Sequence, residues 1–228
     1  MERSILSIER VFRRMKVLEL FAGSRSFSKV AEELGFETYT TDINDFEKID
    51  QVCDIMDFDI EKMEEEFGIP NVIWASPPCQ AFSVASISAH WTGGKGAYVP
   101  KTEKAVLSQR WVAEAIGIIK FLEPEYFYIE NPRGVLRKLP VITNEHYIRN
   151  TIWYCQYGDK RAKPTDIWTN DFGWRPRPVC KNGNPNCHHE RAPRGSKTGT
   201  QGLKGNYERS IVPSELCREI LYNIKKSL

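Results

Sequence analysis

Short apolar runs that alternate with helical periods limit this chain to few architectures. Met15 to Leu20 is an apolar run that passes into Phe21-Ala22-Gly23-Ser24-Arg25-Ser26, a turn of mostly small residues. Phe27, Val30, Ala31 and Leu34 then recur with a helical period, and Gly35 stands where a helix C-cap belongs. Glu37 to Thr41 alternates as a strand and ends at Asp42. Strand, turn, helix and strand in that order predict a parallel pair with a right-handed crossover. The alternation recurs with a strand at Asn71 to Ala75, the longest helix at Ala105 to Leu122, and a strand at Tyr126 to Glu130. Thr151 to Tyr157 and Thr165 to Thr169 read as two more strands that would suit an antiparallel pair. Ser214 is expected to cap a last helix with Leu216, Ile220, Leu221 and Ile224 on one face. The expected fold class is α/β.

The 228 residues suit one domain with a small appended lobe, and 41% hydrophobic content is enough for a core. Between residues 170 and 206 periodicity gives way to Gly, Pro, Asn, Cys, His and basic residues. We therefore expect a main domain over 1–169, a small basic lobe or loop over 170–206, and a returning segment over 207–228. The net charge is only +2, but Lys16 to Glu66 is mainly acidic and Arg133 to Lys204 is rich in Arg and Lys. That asymmetry suits a polyanion on one face and equally suits solvated surface charge. Six cysteines show no secreted-type framework, the first residues mix both charge signs, and no run approaches the ~20 apolar residues of a membrane span. An intracellular protein with reduced thiols, no leader and no membrane partner is expected.

Five sets of residues carry candidate chemistry. Phe21-x-Gly23 ahead of a helix, with Asp42 closing the next strand, resembles a Rossmann nucleotide site and also reads as an ordinary strand-to-helix turn. The missing second and third glycines argue against a pyrophosphate ligand and suit S-adenosylmethionine better. Asp54-Ile55 could grip an adenine edge and face, with Asp57 a rival. Cys79 follows Asn71 to Ala75 at Pro77-Pro78, which forbid the strand from continuing; it could be a buried apolar residue or a presented nucleophile. Glu130 ends another strand and is a candidate acid, because ligands of parallel sheets sit beyond the strands' carboxyl ends. Arg161 and Lys163 would face one way from a strand, toward a polar group or toward solvent.

Together and in this order, the five resemble the cytosine-C5 DNA methyltransferase family. Pro77-Pro78-Cys79-Gln80-Ala81-Phe82-Ser83 matches its nucleophile motif, and Glu130-Asn131 its acid motif, with Pro132 where valine is usual. Phe21-x-Gly23 resembles the first cofactor motif, with Arg25 at the usual second glycine, and Asp42 and Asp54-Ile55 match the ribose and adenine positions. Lys160-Arg161-Ala162-Lys163 resembles the Gln-x-Arg-x-Arg motif with Arg161 alone retained, and Arg209 to Leu216 is similar to the last motif. The resemblance spans about residues 15–170 and 207–228. It implies a Rossmann-like S-adenosylmethionine-dependent methyltransferase sheet with a very small target-recognition lobe. Cys79 would add to C6 of a flipped-out cytosine in double-stranded DNA, Glu130 would act at N3, and Arg161 would bind the ring O2 or hold Glu130. Phe21, Gly23, Asp42, Asp54, Ile55 and Pro78 would bind the cofactor. The Gly93-Gly94-Lys95-Gly96 loop would close over DNA.

Arg175, Arg177, Lys181, Arg191, Arg194 and Lys197 would meet phosphates and guanine edges, and so small a lobe implies a short or relaxed recognition sequence. The same chemistry on tRNA cytosine, or a decayed DNA-binding scaffold, would also suit these residues. A monomer, with a virus of bacteria, a mobile element or a restriction system as its setting, fits the compact size. Cys180-x6-Cys187-His188-His189 has zinc-ligand types without the usual Cys-x2-Cys spacing, so the sequence alone assigns no metal.

Overall fold

A computed structural model describes residues 15–93, 97–181, 184–190 and 205–227. Gly94, Lys95, Gly96, Arg191, Arg194 and Lys197, expected to act on DNA, lie outside the described residues.

The strands are β1 Lys16–Leu20, β2 Glu37–Asp42, β3 Gln51–Val52, β4 Val72–Ala75, β5 Trp91–Thr92, β6 Val99–Pro100, β7 Tyr126–Pro132, β8 Ile148–Trp153 and β9 Pro164–Thr169. The helices are α1 Ser26–Glu33, α2 Ile60–Glu66, α3 Ile87–His90, α4 Glu103–Leu122, α5 Pro140–Thr143, α6 Asn206–Ser210 and α7 Ser214–Lys226. Seven strands form one sheet in the order β3-β2-β1-β4-β7-β9-β8, and β5 pairs with β6 in a separate ribbon. β1, β2, β3, β4 and β7 run parallel; β9 lies antiparallel between β7 and β8. The fold is the expected α/β architecture with a mostly parallel central sheet.

Strand alternation divides the core into two layers. Leu18, Leu20, Ile73, Ala75, Phe127 and Ile129 face α4, whose Val112, Ala115, Ile116 and Ile119 cover them. Val17, Val72, Trp74 and Tyr128 face the other way and are covered by α1 and α7 through Phe27, Ala31, Leu216 and Ile220. Phe27 stacks on Trp74 with ring centroids 4.6 Å apart. Glu19 and Glu130 belong to this second face by the same alternation, each where its strand approaches the sheet's carboxyl rim.

Three expectations shift. The strand expected over Thr151 to Tyr157 ends at Trp153, opposite Pro164, which has no N–H to extend the ladder. Residues Tyr154–Tyr157 form a 3₁₀ turn that Gly158 closes at φ 83°. β7 does not stop at Glu130: Asn131 and Pro132 continue to pair with β9, beyond the last β4 partner at Ile129. Past that point β7 needs a partner on only one edge, so a proline is tolerated. Ser214 is the first residue of α7 rather than its cap; Pro213 holds the cap position and supplies no side-chain bond.

Residues 170–177, expected to open the separate lobe, pack against the sheet and α7. Trp174 is 2% exposed and meets Tyr128 edge-on at 6.0 Å. Buried Asp171 accepts bonds from the Tyr128 hydroxyl (2.7 Å), the Trp174 N–H (3.0 Å) and the Asn223 amide (2.9 Å).

Candidate active site at the carboxyl rim of the sheet

A cavity of about 570 Å3 opens where the parallel strands end. Phe21, Gly23, Asp42, Asp54, Ile55, Pro78, Cys79 and Glu130, all expected from the sequence, line it together. That is the place where ligands of such sheets bind, because loops diverge there and leave a crevice.

The turn after β1 is shaped by positive φ. Phe21 (57°), Gly23 (48°) and Arg25 (54°) all adopt it. At Gly23 an added Cβ would meet only ordinary contacts, nearest Asp42 Oδ2 at 3.8 Å, so conformation rather than space favours glycine. The Gly23 N–H donates to Asp42 Oδ2 at 2.9 Å, tying the first turn to the end of β2. Arg25 holds the left-handed conformation that a glycine would adopt freely, at a cost of about 1–2 kcal/mol. Its side chain is absent from the cavity wall and pairs with Glu32. The non-glycine residue therefore alters the turn's energetics without filling the site.

Glu19, unremarked in the sequence, accepts the Ser28 N–H at 2.7 Å and the Phe27 N–H at 3.3 Å at the start of α1. Burial raises its pKa, and those bonds pull it back. Its signal was present: one acid inside an apolar strand. Asp54 Oδ1 accepts the Met56 N–H at 3.1 Å and so caps the 3₁₀ turn that buries Ile55. Asp57 is absent from the cavity wall.

On the other side, β4 ends at Ala75 and delivers Cys79 in a turn whose carbonyl accepts from Phe82 N (3.0 Å) and Ser83 N (3.1 Å). Ala81 and Phe82 are fully buried, and the Trp91 indole donates to the Ala81 carbonyl at 2.6 Å. β7 and the segment just after it brace the same turn twice. Asn131 Nδ2 donates to the Pro77 carbonyl at 2.9 Å, and Val135 N donates to the Phe82 carbonyl at 2.8 Å. Gly134 sits so close that an added Cβ would lie 2.0 Å from the Phe82 oxygen. Burial raises the pKa of the partly exposed Cys79 thiol, Lys163 lowers it, Glu130 raises it and Arg209 lowers it.

Glu130 is buried and accepts the Tyr154 hydroxyl at 2.8 Å on Oε1, the oxygen that Lys163 Nζ approaches to 3.6 Å. Burial and the Glu130 carboxylate push the Tyr154 pKa well up, so the phenol stays a donor. The expected role of Arg161 at the ring is not what the geometry offers. Arg161 is 6% exposed and lies outside the cavity wall. It is paired with Asp159 and donates to the carbonyls of Arg209 (3.2 Å) and Ile211 (3.0 Å). Alternation does put Arg161 and Lys163 on one side, both near the Tyr154 ring, but the shorter lysine reaches Glu130 while the longer arginine clamps the chain before α7. That clamp sets Tyr207, Arg209, Ser210 and Val212 along the cavity, where Tyr207 meets Phe46 at 5.5 Å. For Tyr154, Phe46 and Tyr207 the sequence offers no pointer to these places. Only Lys163 had a signal, its spacing from Arg161.

Residues 15–147 match the family model for C-5 cytosine-specific DNA methylase. The chain belongs to that family. A probable DNA (cytosine-5)-methyltransferase of Frog virus 3 (isolate Goorha) is 31% identical over 220 residues, spanning 91% of this chain and 99% of the relative. The chain is thus a DNA cytosine-5 methyltransferase by family and by relative. A crystal structure of a putative DNA modification methyltransferase encoded within a prophage (E. coli) superposes with a TM-score of 0.49 at 14% identity. It covers 73% of this chain, which spans about half (52%) of that structure. The methyltransferase domain of bacterial CtHen1-CN gives a TM-score of 0.37 at 9% identity, over 73% of this chain and 95% of that one. Within the methylase chain, none of the helices among the described residues is long and apolar enough to cross a membrane.

Proposed function

We propose that this methylase transfers the methyl group of S-adenosylmethionine to C5 of a cytosine flipped out of duplex DNA, through an adduct of Cys79 to C6. One observation carries the reading. Cys79 and Glu130 reach a single cavity from the ends of adjacent parallel strands, and Asn131 ties the two strand ends together.

The cavity's donors fit the cofactor. Asp42 suits ribose hydroxyls, Asp54 an adenine edge, and Phe21 and Ile55 its faces, while Pro78 shapes the wall beside Cys79. When bound, the cofactor supplies an electrophilic methyl on a sulfonium. The protein's part is to make C5 nucleophilic. The Cys79 thiolate forms the S–C6 bond, and a proton held by Glu130 goes to N3 as the ring accepts the electron pair. C5 then takes the methyl, H5 leaves to a base, the S–C6 bond breaks to return the thiolate, and the N3 proton goes back to the Glu130 carboxylate. Tyr154 and Lys163 hold the Glu130 carboxyl in place, and Arg161 acts at one remove by fixing residues 209–211. The base must leave the stack, at a few kcal/mol.

Target reading falls to residues 178–206, since Asp171 and Trp174 belong to the core and Arg177 is held by Glu215 and Glu219. The chain would work as a monomer inside cells, and a viral relative supports a viral source. Labelled-methyl transfer to duplex DNA and to tRNA, followed by bisulfite sequencing of the methylated plasmid, tests the reading. We expect label in duplex DNA at a short or relaxed site. Label in tRNA alone would overturn the substrate, and one strict site of six or more base pairs would overturn the small reading segment (on the order of one to three contacted bases per short element).

A further inference from the structure

Three of the four metal-ligand types in the basic segment meet a cysteine from elsewhere in the structure, and His188 is not among them. Cys155, Cys180, Cys187 and His189 bring one ligand atom each to within 4.8 Å of one another. Cys155 comes from the 3₁₀ turn after β8, remote in sequence from the other three. All six cysteines are free thiols. Three of the four side chains, Cys155, Cys180 and His189, are buried, and Cys180 Sγ lies 3.8 Å from His189 Nδ1. In a tetrahedral zinc sphere, ligand atoms at about 2.3 Å (sulfur) and 2.0–2.1 Å (nitrogen) are about 3.5–3.8 Å apart. The observed group needs only a small contraction to meet that.

We propose that these four side chains bind one structural zinc ion. Three thiolates and an imidazole select a soft or borderline metal over calcium or magnesium, and four protein ligands leave no open position for chemistry. Donors already surround the sulfurs. Gln156 Nε2 lies 3.9 Å from both Cys155 Sγ and Cys187 Sγ, and Asn184 Nδ2 lies 3.7 Å from Cys180 Sγ. Such outer donors offset the charge of metal-bound thiolates. The segment also needs a staple. Among the described residues 178–190 there is no helix or named strand. Turn bonds from Asn184 N to the Lys181 carbonyl (3.0 Å) and Cys187 N to the Asn184 carbonyl (3.2 Å) fold it into a knuckle. Its apolar partners are few, Trp153 and Ala162.

The ion would fasten this knuckle to the turn that carries Tyr154, one residue before Cys155. Glu190 N already donates to the Lys160 carbonyl at 2.8 Å, beside Arg161 and Lys163. The target-reading segment and the Glu130 pocket would then share one anchor. Metal binding stands independently of whether Cys79 is the nucleophile. His188 is a bystander: its Nε2 sits 3.1 Å from the Asp159 carbonyl.

Zinc in the full chain, purified under reducing conditions without chelator and reconstituted with Zn²⁺, is measured by plasma mass spectrometry. We expect about one ion per chain. Cys155→Ser and His189→Ala should each lower zinc content at least tenfold, and His188→Ala should leave it unchanged. If the serine variant fails to fold, cobalt substitution of the unaltered chain decides. Intense thiolate-to-cobalt charge transfer with tetrahedral d–d bands is expected. Zinc at background after reconstitution, an octahedral cobalt spectrum, or loss of zinc in His188→Ala alone would overturn the site. So would a thiol titration showing two of the four cysteines joined as a disulfide.

Discussion

The carboxyl rim of the sheet and the segment after β9 hold their residues in opposite ways. At the rim, side chains stand at the ends of strands or in the turns just beyond them, on a sheet fixed by a hydrogen-bond ladder and two buried layers. After β9, described positions are held by single side chains: Asp171 and Trp174 on the core, Arg177 on α7, and the cysteine–histidine group on the turn after β8. The rim tolerates little because its parts share one frame. The later segment should fail piece by piece.

The largest expected effect breaks the rim directly. Cys79→Ala should lower methyl transfer by about 10⁴-fold or more, while titration with S-adenosylhomocysteine gives an unchanged affinity. Glu130→Gln keeps the shape but loses the proton, and rates should fall about 10²–10⁴-fold in single-turnover assays. Gly134→Ala touches no substrate, yet its Cβ would collide with the Phe82 carbonyl and displace the Cys79 turn. A displacement near 1 Å costs about 10²-fold, so this variant should resemble an active-site mutation in kcat rather than in folding.

A subtler test uses pH. Lys163 lowers the thiol pKa that burial raises. Removing that cation in Lys163→Met should move the thiolate-dependent rise in single-turnover rate to higher pH, and the rate at saturating alkalinity should recover in part. An unmoved limb would separate Lys163 from Cys79. In the later segment, Trp174→Ala should cost about 3–5 kcal/mol in denaturant unfolding with per-folded-molecule activity retained. Arg177→Ala, whose ion pairs are largely solvated, should cost within about 1 kcal/mol and leave DNA affinity unchanged.

The same contrast explains what could be read from the residues alone. β1 and β4 run into Phe21 and the Pro77-Pro78 brake, Glu130 lies near the carboxyl end of β7, and period-two alternation with a nearby turn signal is local information. Lys163 against Arg161 was not, because which cation reaches Glu130 depends on the path of residues 208–211 from the far end of the chain. Tyr154 was hidden inside the strand expected over Thr151 to Tyr157, which ends at Trp153, one residue before it. Cys155 was hidden for a related reason: spacing within residues 180–189 suggests His188 as readily as His189, and only the turn after β8 supplies the fourth ligand. Arg25 shows the converse. A departure from the family's glycine is legible in the sequence, but its meaning, a left-handed residue turned away from the cavity, needs the backbone.

Attack of Cys79 on C6 of a flipped cytosine can be trapped directly. Duplex DNA carrying 5-fluorocytosine cannot lose its C5 substituent, so a transferred methyl leaves the enzyme joined to the base. With S-adenosylmethionine present, a denaturation-resistant protein–DNA adduct should form and map to Cys79, and it should vanish in Cys79→Ala. An adduct that persists in Cys79→Ala, or none at all from a chain that binds both DNA and cofactor, would contradict it.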